Sequence, residues 1–170
     1  PVSGYFADPE VLDLFQYELQ YGNPVTALVD PYSVVLTKET AEKLFQIENP
    51  VGESIKVGKL GLYKVTGVIK RTENRSHIVA DAFASISTVK SLEAAKLLNK
   101  NLDNWHSFTS GWVYVLLQDG KSIEDIEPHL AKISKDHFSN LPPDKTVEVT
   151  YATQNLLEIV PGRLINNPIG

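Results

Sequence analysis

SVVLTKETAEKLF, Ser33–Phe45, joins a strand to a helix with no loop between them. Ser33 to Thr37 is a short, β-branched, apolar run, which is how a buried strand reads. Thr37 then offers a side-chain oxygen to the first free N–H groups of a helix, and Ala41, Leu44 and Phe45 recur at helical spacing. Asn49-Pro50-Val51-Gly52 makes a turn, after which Ser54–Val57 and Tyr63–Lys70 read as a hairpin connected around Gly58 and Gly61. In its second strand Tyr63, Val65 and Ile69 are expected on one face and Lys64, Thr66 and Lys70 mostly on the other, leaving one face wet. Gly67 marks a close approach or a bulge.

Upstream, Asp8-Pro9-Glu10 has the form of a helix start, with Asp8 as N-cap and Pro9 at the first helical position, and Val11, Leu12 and Phe15 give that helix an apolar face. Gly22-Asn23-Pro24 and Asp30-Pro31 break the chain before the first stretch begins. Downstream, Ala82–Thr88 reads as a strand, and Leu92, Ala95 and Leu98 mark a helix capped by Ser91. Trp112–Gln118 is apolar on both faces and predicts a central strand. Ile123, Ile126, Leu130, Ile133 and His137 form one helical stripe, with a kink or a helix start expected at Pro128. Val147, Val149 and Tyr151 alternate as a last strand, and residues 161–170 show no periodicity. A hairpin set among strand–helix–strand units predicts an α+β fold with a mixed sheet.

The 170 residues suit one domain with a core large enough to stand without disulfides or metals. The net charge of −5 is spread along the chain, with no basic run of the kind a phosphate backbone requires, which argues against nucleic acid as a partner. Trp112–Leu117 is the longest apolar run and falls far short of the roughly 20 residues that span a bilayer. The absence of cysteine excludes thiolate catalysis and Cys-ligated zinc and suits an oxidising compartment. A start at Pro1 with no methionine anywhere reads as a fragment or a processed chain.

No phosphate-cradling loop of the G-x-x-x-x-G-K-[ST] type and no G-x-S-x-G nucleophile elbow is present; Ser110-Gly111 comes before an expected strand, the wrong context for a nucleophile. The best polar candidate is Asn74-Arg75-Ser76-His77 with Asp81, where imidazole and carboxylate could share a proton or a metal. Against it stands a plain turn whose Asn and Ser satisfy backbone groups, and that reading is preferred. His106, His129 and His137 fit no metal-ligand spacing. The aromatics Tyr5, Phe6, Phe15, Tyr17 and Tyr21 read as packing rather than as a stacking surface for a ligand. No catalytic residue, cofactor or metal ligand is therefore expected.

Ser33–Phe45, Glu48–Gly52 and Tyr63–Ile69 together resemble the periplasmic core domain of MacB/FtsX-like ABC-transporter permeases. Asp8–Phe15 and Tyr21–Pro24 extend the resemblance, and Asn74-Arg75-Ser76-His77 is similar to the N-S-H segment of the Bacteroidetes-type branch, with Arg75 inserted. On that resemblance Pro50, Gly52, Asn74, Ser76 and His77 are family-motif positions without an assigned role. The resemblance implies a domain between two transmembrane helices, with an inserted β-rich lobe at about 31–82 and a porter-like lobe from 1–30 and 83–170. It implies a non-catalytic role at the periplasmic face of the bacterial inner membrane, coupling cytoplasmic ATP hydrolysis to export or mechanical work. The implied partners are the permease's own transmembrane helices, a separate or fused ABC ATPase, a second permease copy and a periplasmic adaptor, the isolated segment being monomeric. A freestanding secreted or periplasmic binding module, and less readily a soluble hydrolase built on His77 and Asp81, are the alternatives.

Overall fold

The computed structural model describes residues 2–70, 78–105, 111–138 and 149–158. The chain divides into two compact units, Pro1–Asn104 and Trp105–Gly170. The first unit holds strands β1 (Gly4–Ala7), β2 (Leu19–Gly22), β3 (Ser33–Thr37), β4 (Ser54–Lys56), β5 (Leu62–Ile69) and β6 (Ala82–Ser85). Its helices are α1 (Val11–Leu14), α2 (Lys38–Phe45) and α3 (Ser87–Ala94), and the second unit holds α4 (Ile123–Phe138).

The six strands form one mixed sheet in the order β1-β6-β3-β5-β2, with β4 paired to the other half of the same edge of β5. β1 runs parallel to β6 and β3 parallel to β5, while β6–β3, β5–β2 and β5–β4 are antiparallel. The α+β class expected from the sequence is therefore the class observed. Strands from the expected inserted segment, 31–82, and from the flanking segments hydrogen bond within this one sheet.

Ser33–Phe45 forms the strand and helix it predicts. The Thr37 hydroxyl accepts the Thr40 N–H at 3.3 Å, Glu39 sits in the first turn and Lys43 in the last, each matched to the helix dipole. Gln46 ends α2 in the left-handed region, and its N–H donates to the Glu42 carbonyl. β3 is buried along almost its whole length and splits its side chains between two layers: Val34 and Leu36 pack with Ala41, Tyr63, Val65, Val68 and Ala82, whereas Val35 packs with Leu12, Ala27, Leu28, Ile69 and Phe83.

The facing of β5 differs from the simple alternation expected. Val34 pairs with Val65 but Val35 pairs with Gly67, so Thr66 is an extra residue on β5. Beyond that bulge the phase inverts: Val68 joins Val65 in one layer and Ile69 turns to the other. The Thr66 hydroxyl donates to the Ala27 carbonyl at 2.5 Å and the Val34 carbonyl at 3.1 Å, so the bulge ties the 23–32 segment to the sheet. A wet face persists only at the hairpin end, where Ser54, Lys56, Leu62 and Lys64 are exposed.

Further expectations are corrected. The strand at Ala82 stops at Ser85, and α3 starts at Ser87 rather than after a Ser91 cap. The cause is the polar sequence there: the Ser85 and Ser87 hydroxyls lie 2.7 Å apart, Ser87 Oγ donates to the Val29 carbonyl, and fully buried Thr88 Oγ1 accepts the Tyr32 N–H at 2.8 Å. Asp8-Pro9-Glu10 forms the turn leading into α1, with Glu10 rather than Asp8 as its N-cap. In the second unit Trp112–Gln118 forms no strand among the described residues; Trp112 is 65% and Val113 91% exposed, so neither face has the covering layer a central strand needs. α4 continues through Pro128 instead of starting at it. Its start is held by the Asp125 carboxylate, which accepts the Ser122 N–H at 2.9 Å, one half of a capping box. Of the expected last strand, Val147 lies outside the described residues, and 149–151 are not in a strand.

Candidate functional site

Asn49 starts the turn named from the sequence: its Oδ1 accepts the Val51 N–H at 3.1 Å, and Pro50 is fully buried. Gly52 adopts φ 99°, and its N–H donates to the Val65 carbonyl at 2.8 Å. These two motif residues thus fasten the end of the α2–β4 connection to β5. That is a structural task, carried by a φ that side-chain-bearing residues avoid. Asn74, Ser76 and His77, with Arg75, lie outside the described residues.

Asp81, the other half of the candidate dyad, is occupied in the backbone. Its carboxylate accepts the Ser3 N–H at 2.7 Å, its own N–H donates to the Ser3 carbonyl, and its carbonyl accepts the Thr37 N–H. These bonds hold the start of β1 against β6 and β3. Asp81 is a clasp for three strands, and a proton-transfer role would have to compete with that use of its carboxylate.

The aromatics of the first segment divide. Tyr17 stacks on Phe15 at 6.0 Å and tilts against Phe83 at 5.5 Å, joining the layer beneath α1. Phe6 packs on the other layer and Tyr5 is exposed. The Tyr21 hydroxyl donates to Glu48 at 3.2 Å beside a recess lined by buried Ala41 and Val68, by exposed Ile47 and by the Lys38–Glu42 pair. Gln20 Nε2 donates in turn to the Tyr21 hydroxyl at 3.2 Å, so the polar groups here pair with one another on the surface.

Tyr63 is the buried titratable group of the sheet. Burial, and then the neighbouring Tyr32, push its phenol above its ordinary value, so it stays protonated at neutral pH. Its hydroxyl has no hydrogen-bond partner among the described residues. Tyr32, which packs edge-on against it at 5.4 Å, has φ 58° and links α3 to β5 through its N–H and carbonyl. Sequence reasoning missed this junction because a positive φ on Tyr carries no sequence signal.

His137 stacks on Trp105 at 3.6 Å in the second unit, and His129 is exposed on α4. His106 lies outside the described residues. Among the described residues no three His, Asp or Glu side chains converge as metal ligands, and no helix is long and apolar enough to cross a membrane.

A domain of a candidate permease protein from Porphyromonas gingivalis matches with TM-score 0.51 and 22% identity, over 78% of this chain and 53% of its own. The periplasmic region of MacB from Actinobacillus actinomycetemcomitans matches with TM-score 0.47 and 19% identity, over 76% and 53%. The extracellular domain of the ABC-type transporter YknZ from Gram-positive bacteria matches with TM-score 0.40 and 20% identity, over 55% and 46%. The chain thus spans about half the length of these solved structures. No curated protein matches it. The MacB-like periplasmic core domain family matches residues 1–133, which include the whole mixed sheet and the Pro50–Gly52 turn, and the chain belongs to that family.

Proposed function

We propose that this chain is the extracytoplasmic domain of an ABC-transporter permease and that it transmits work without making or breaking bonds. The family match over residues 1–133 carries the reading. The use of Asp81 as a strand clasp and the mutual pairing around Tyr21 and Glu48 support it, since the polar groups described serve the fold. On this reading an ABC ATPase, separate or fused, hydrolyses ATP on the cytoplasmic side, and the domain passes the resulting motion to a substrate or partner in the periplasm. A second permease copy and a periplasmic adaptor are the partners that fit, and Asn74, Ser76 and His77 are proposed as motif positions of the domain. An inserted β-rich lobe at about 31–82 beside a porter-like lobe from 1–30 and 83–170 is part of the same proposal.

Two measurements test the reading. A single cysteine placed at exposed Lys100 of a cysteine-free full-length parent should react with a membrane-impermeant maleimide in intact cells; reaction only after lysis places the domain on the wrong side. Replacing the domain by an unrelated linker should abolish transport while basal ATP hydrolysis persists. Undiminished transport would remove the coupling role.

A further inference from the structure

The β4–β5 hairpin extends past the layer that covers one face of the sheet. Its register pairs Ser54 with Lys64, Ile55 with Tyr63 and Lys56 with Leu62. Ile55 and Tyr63 point into the core cluster, so Lys56, Leu62 and Lys64 share the opposite face. All three are exposed there, because the cluster built from Leu12, Ala27 and Leu28 reaches β5 at Ile69 and includes no residue of 54–64. Leu62 is 62% exposed; Lys56 stands directly across from it and Lys64 follows two residues on, which puts cationic side chains at roughly 5 and 7 Å from its Cβ. Exposed Val57 and Lys59 continue the pattern into the turn.

Residues 54–64 contain three lysines and no carboxylate, so this face carries +3 on a chain of net −5, leaving −8 on the other residues. Among the described residues none of the three hairpin lysines forms an ion pair, a state they share with Lys43, Lys90, Lys96 and Lys100; what sets them apart is that they are grouped on one hairpin with no carboxylate in residues 54–64. Lysine on a short edge strand such as β4 commonly serves to discourage edge-to-edge pairing. That role accounts for Lys56, but it does not account for a leucine left open on β5 between two lysines.

We infer that this hairpin face is a docking surface for an acidic, partly apolar segment of a partner protein. The segment lies extended across the hairpin with an apolar side chain on Leu62 and carboxylates at Lys56, Lys59 and Lys64. An anionic bilayer is the poorer occupant. Three lysines attract it by about 1 kcal/mol each, but an extended charged plane also meets the repulsion of the −8 carried elsewhere. A short segment feels mainly the charges within a screening length of about 8 Å.

The test uses the 170-residue chain and a fluorescein-labelled peptide of alternating Glu and Leu, read by anisotropy. Saturable binding is expected, weakened at least tenfold by the combined Lys56→Glu, Lys59→Glu and Lys64→Glu changes. It should be weakened severalfold by Leu62→Ser alone, or by Ser in place of Leu in the peptide. A charge-matched control, Lys43→Glu with Lys90→Glu and Lys100→Glu, should change affinity less than twofold. Circular dichroism melts confirm that each variant is folded, and the single Leu62→Ser change keeps the test open should the triple variant unfold. Absent binding, an equal loss in the control, indifference to Leu62→Ser, or hairpin-dependent binding to phosphatidylglycerol vesicles without binding to the peptide would each overturn the inference.

Discussion

Gly22 ends β2 opposite Gly67 of β5, with φ 98°. A Cβ at Gly22 would lie 2.8 Å from Gly67 Cα and closer still to the Thr66 carbonyl oxygen. Both are backbone atoms of a strand held on its far side by β3, so relief requires β2 to back away from the sheet. Gly52 has nearly the same φ, 99°, with nothing within 4 Å of its would-be Cβ, and Gly52→Ala therefore isolates the cost of the backbone conformation. That cost is about 1–2 kcal/mol. Gly22→Ala adds an overpacking cost of about 1–3 kcal/mol, for a total of about 2–5 kcal/mol. Gly67→Ala meets the movable end of Leu19 at 3.0 Å but also the stiff, fully buried Val35 at 3.3 Å, and should cost about 1–3 kcal/mol. Urea melts by far-UV circular dichroism would rank the three, with each kcal/mol lowering Tm by about 2–4 °C in a thermal scan. Both tryptophans, Trp105 and Trp112, lie in the second unit, so their emission gives a separate probe there. If Gly22→Ala proves no more destabilising than Gly52→Ala, the close approach of β2 to β5 is not a constraint on the fold.

Thr66→Val removes the donor shared by the Ala27 and Val34 carbonyls and should cost about 1–3 kcal/mol in a urea melt; an unchanged midpoint would mean that the bulge does not need its hydroxyl. Tyr63→Phe removes a buried hydroxyl without a described partner, and stability should be unchanged or higher by up to about 1 kcal/mol. A clear loss would reveal an ordered water at that hydroxyl. The Ser122 N–H, then Lys121 and the Ser122 hydroxyl, hold Asp125 below the usual carboxylate value, so its contribution to α4 is present above about pH 4 and is lost as pH falls through the lowered folded value. Asp136, held down by Lys132, is lost in the same window. Ellipticity at 222 nm should therefore fall on acidification, and Asp125→Asn should show a smaller fall; an identical acid profile in that variant would deny the cap its role.

Much of the first unit is legible in the residues themselves because its signals are local. Thr37 before Ala41, Leu44 and Phe45 places α2, the apolar run from Ser33 places β3, and glycines around Leu60 place the hairpin turn. These follow from the reach of one side chain to its own backbone and from the fixed periods of helix and strand. The resemblance to MacB-like domains was likewise carried by those local motifs, and the family match covers them. What period alone could not supply was the inversion within β5. Alternation puts Val65 and Ile69 together, but the Thr66 bulge exists only once β3 lies alongside, since an extra residue is defined by the strand it fails to pair with. The role of Asp81 was hidden for a similar reason: its partner Ser3 is 78 residues away, and nothing near Asp81 announces it. Trp112–Gln118 erred in the other direction, since an apolar run states only that burial would be favourable. Whether a layer is there to bury it is decided by the tertiary structure, and in the described residues Val113 and Leu116 remain open to solvent.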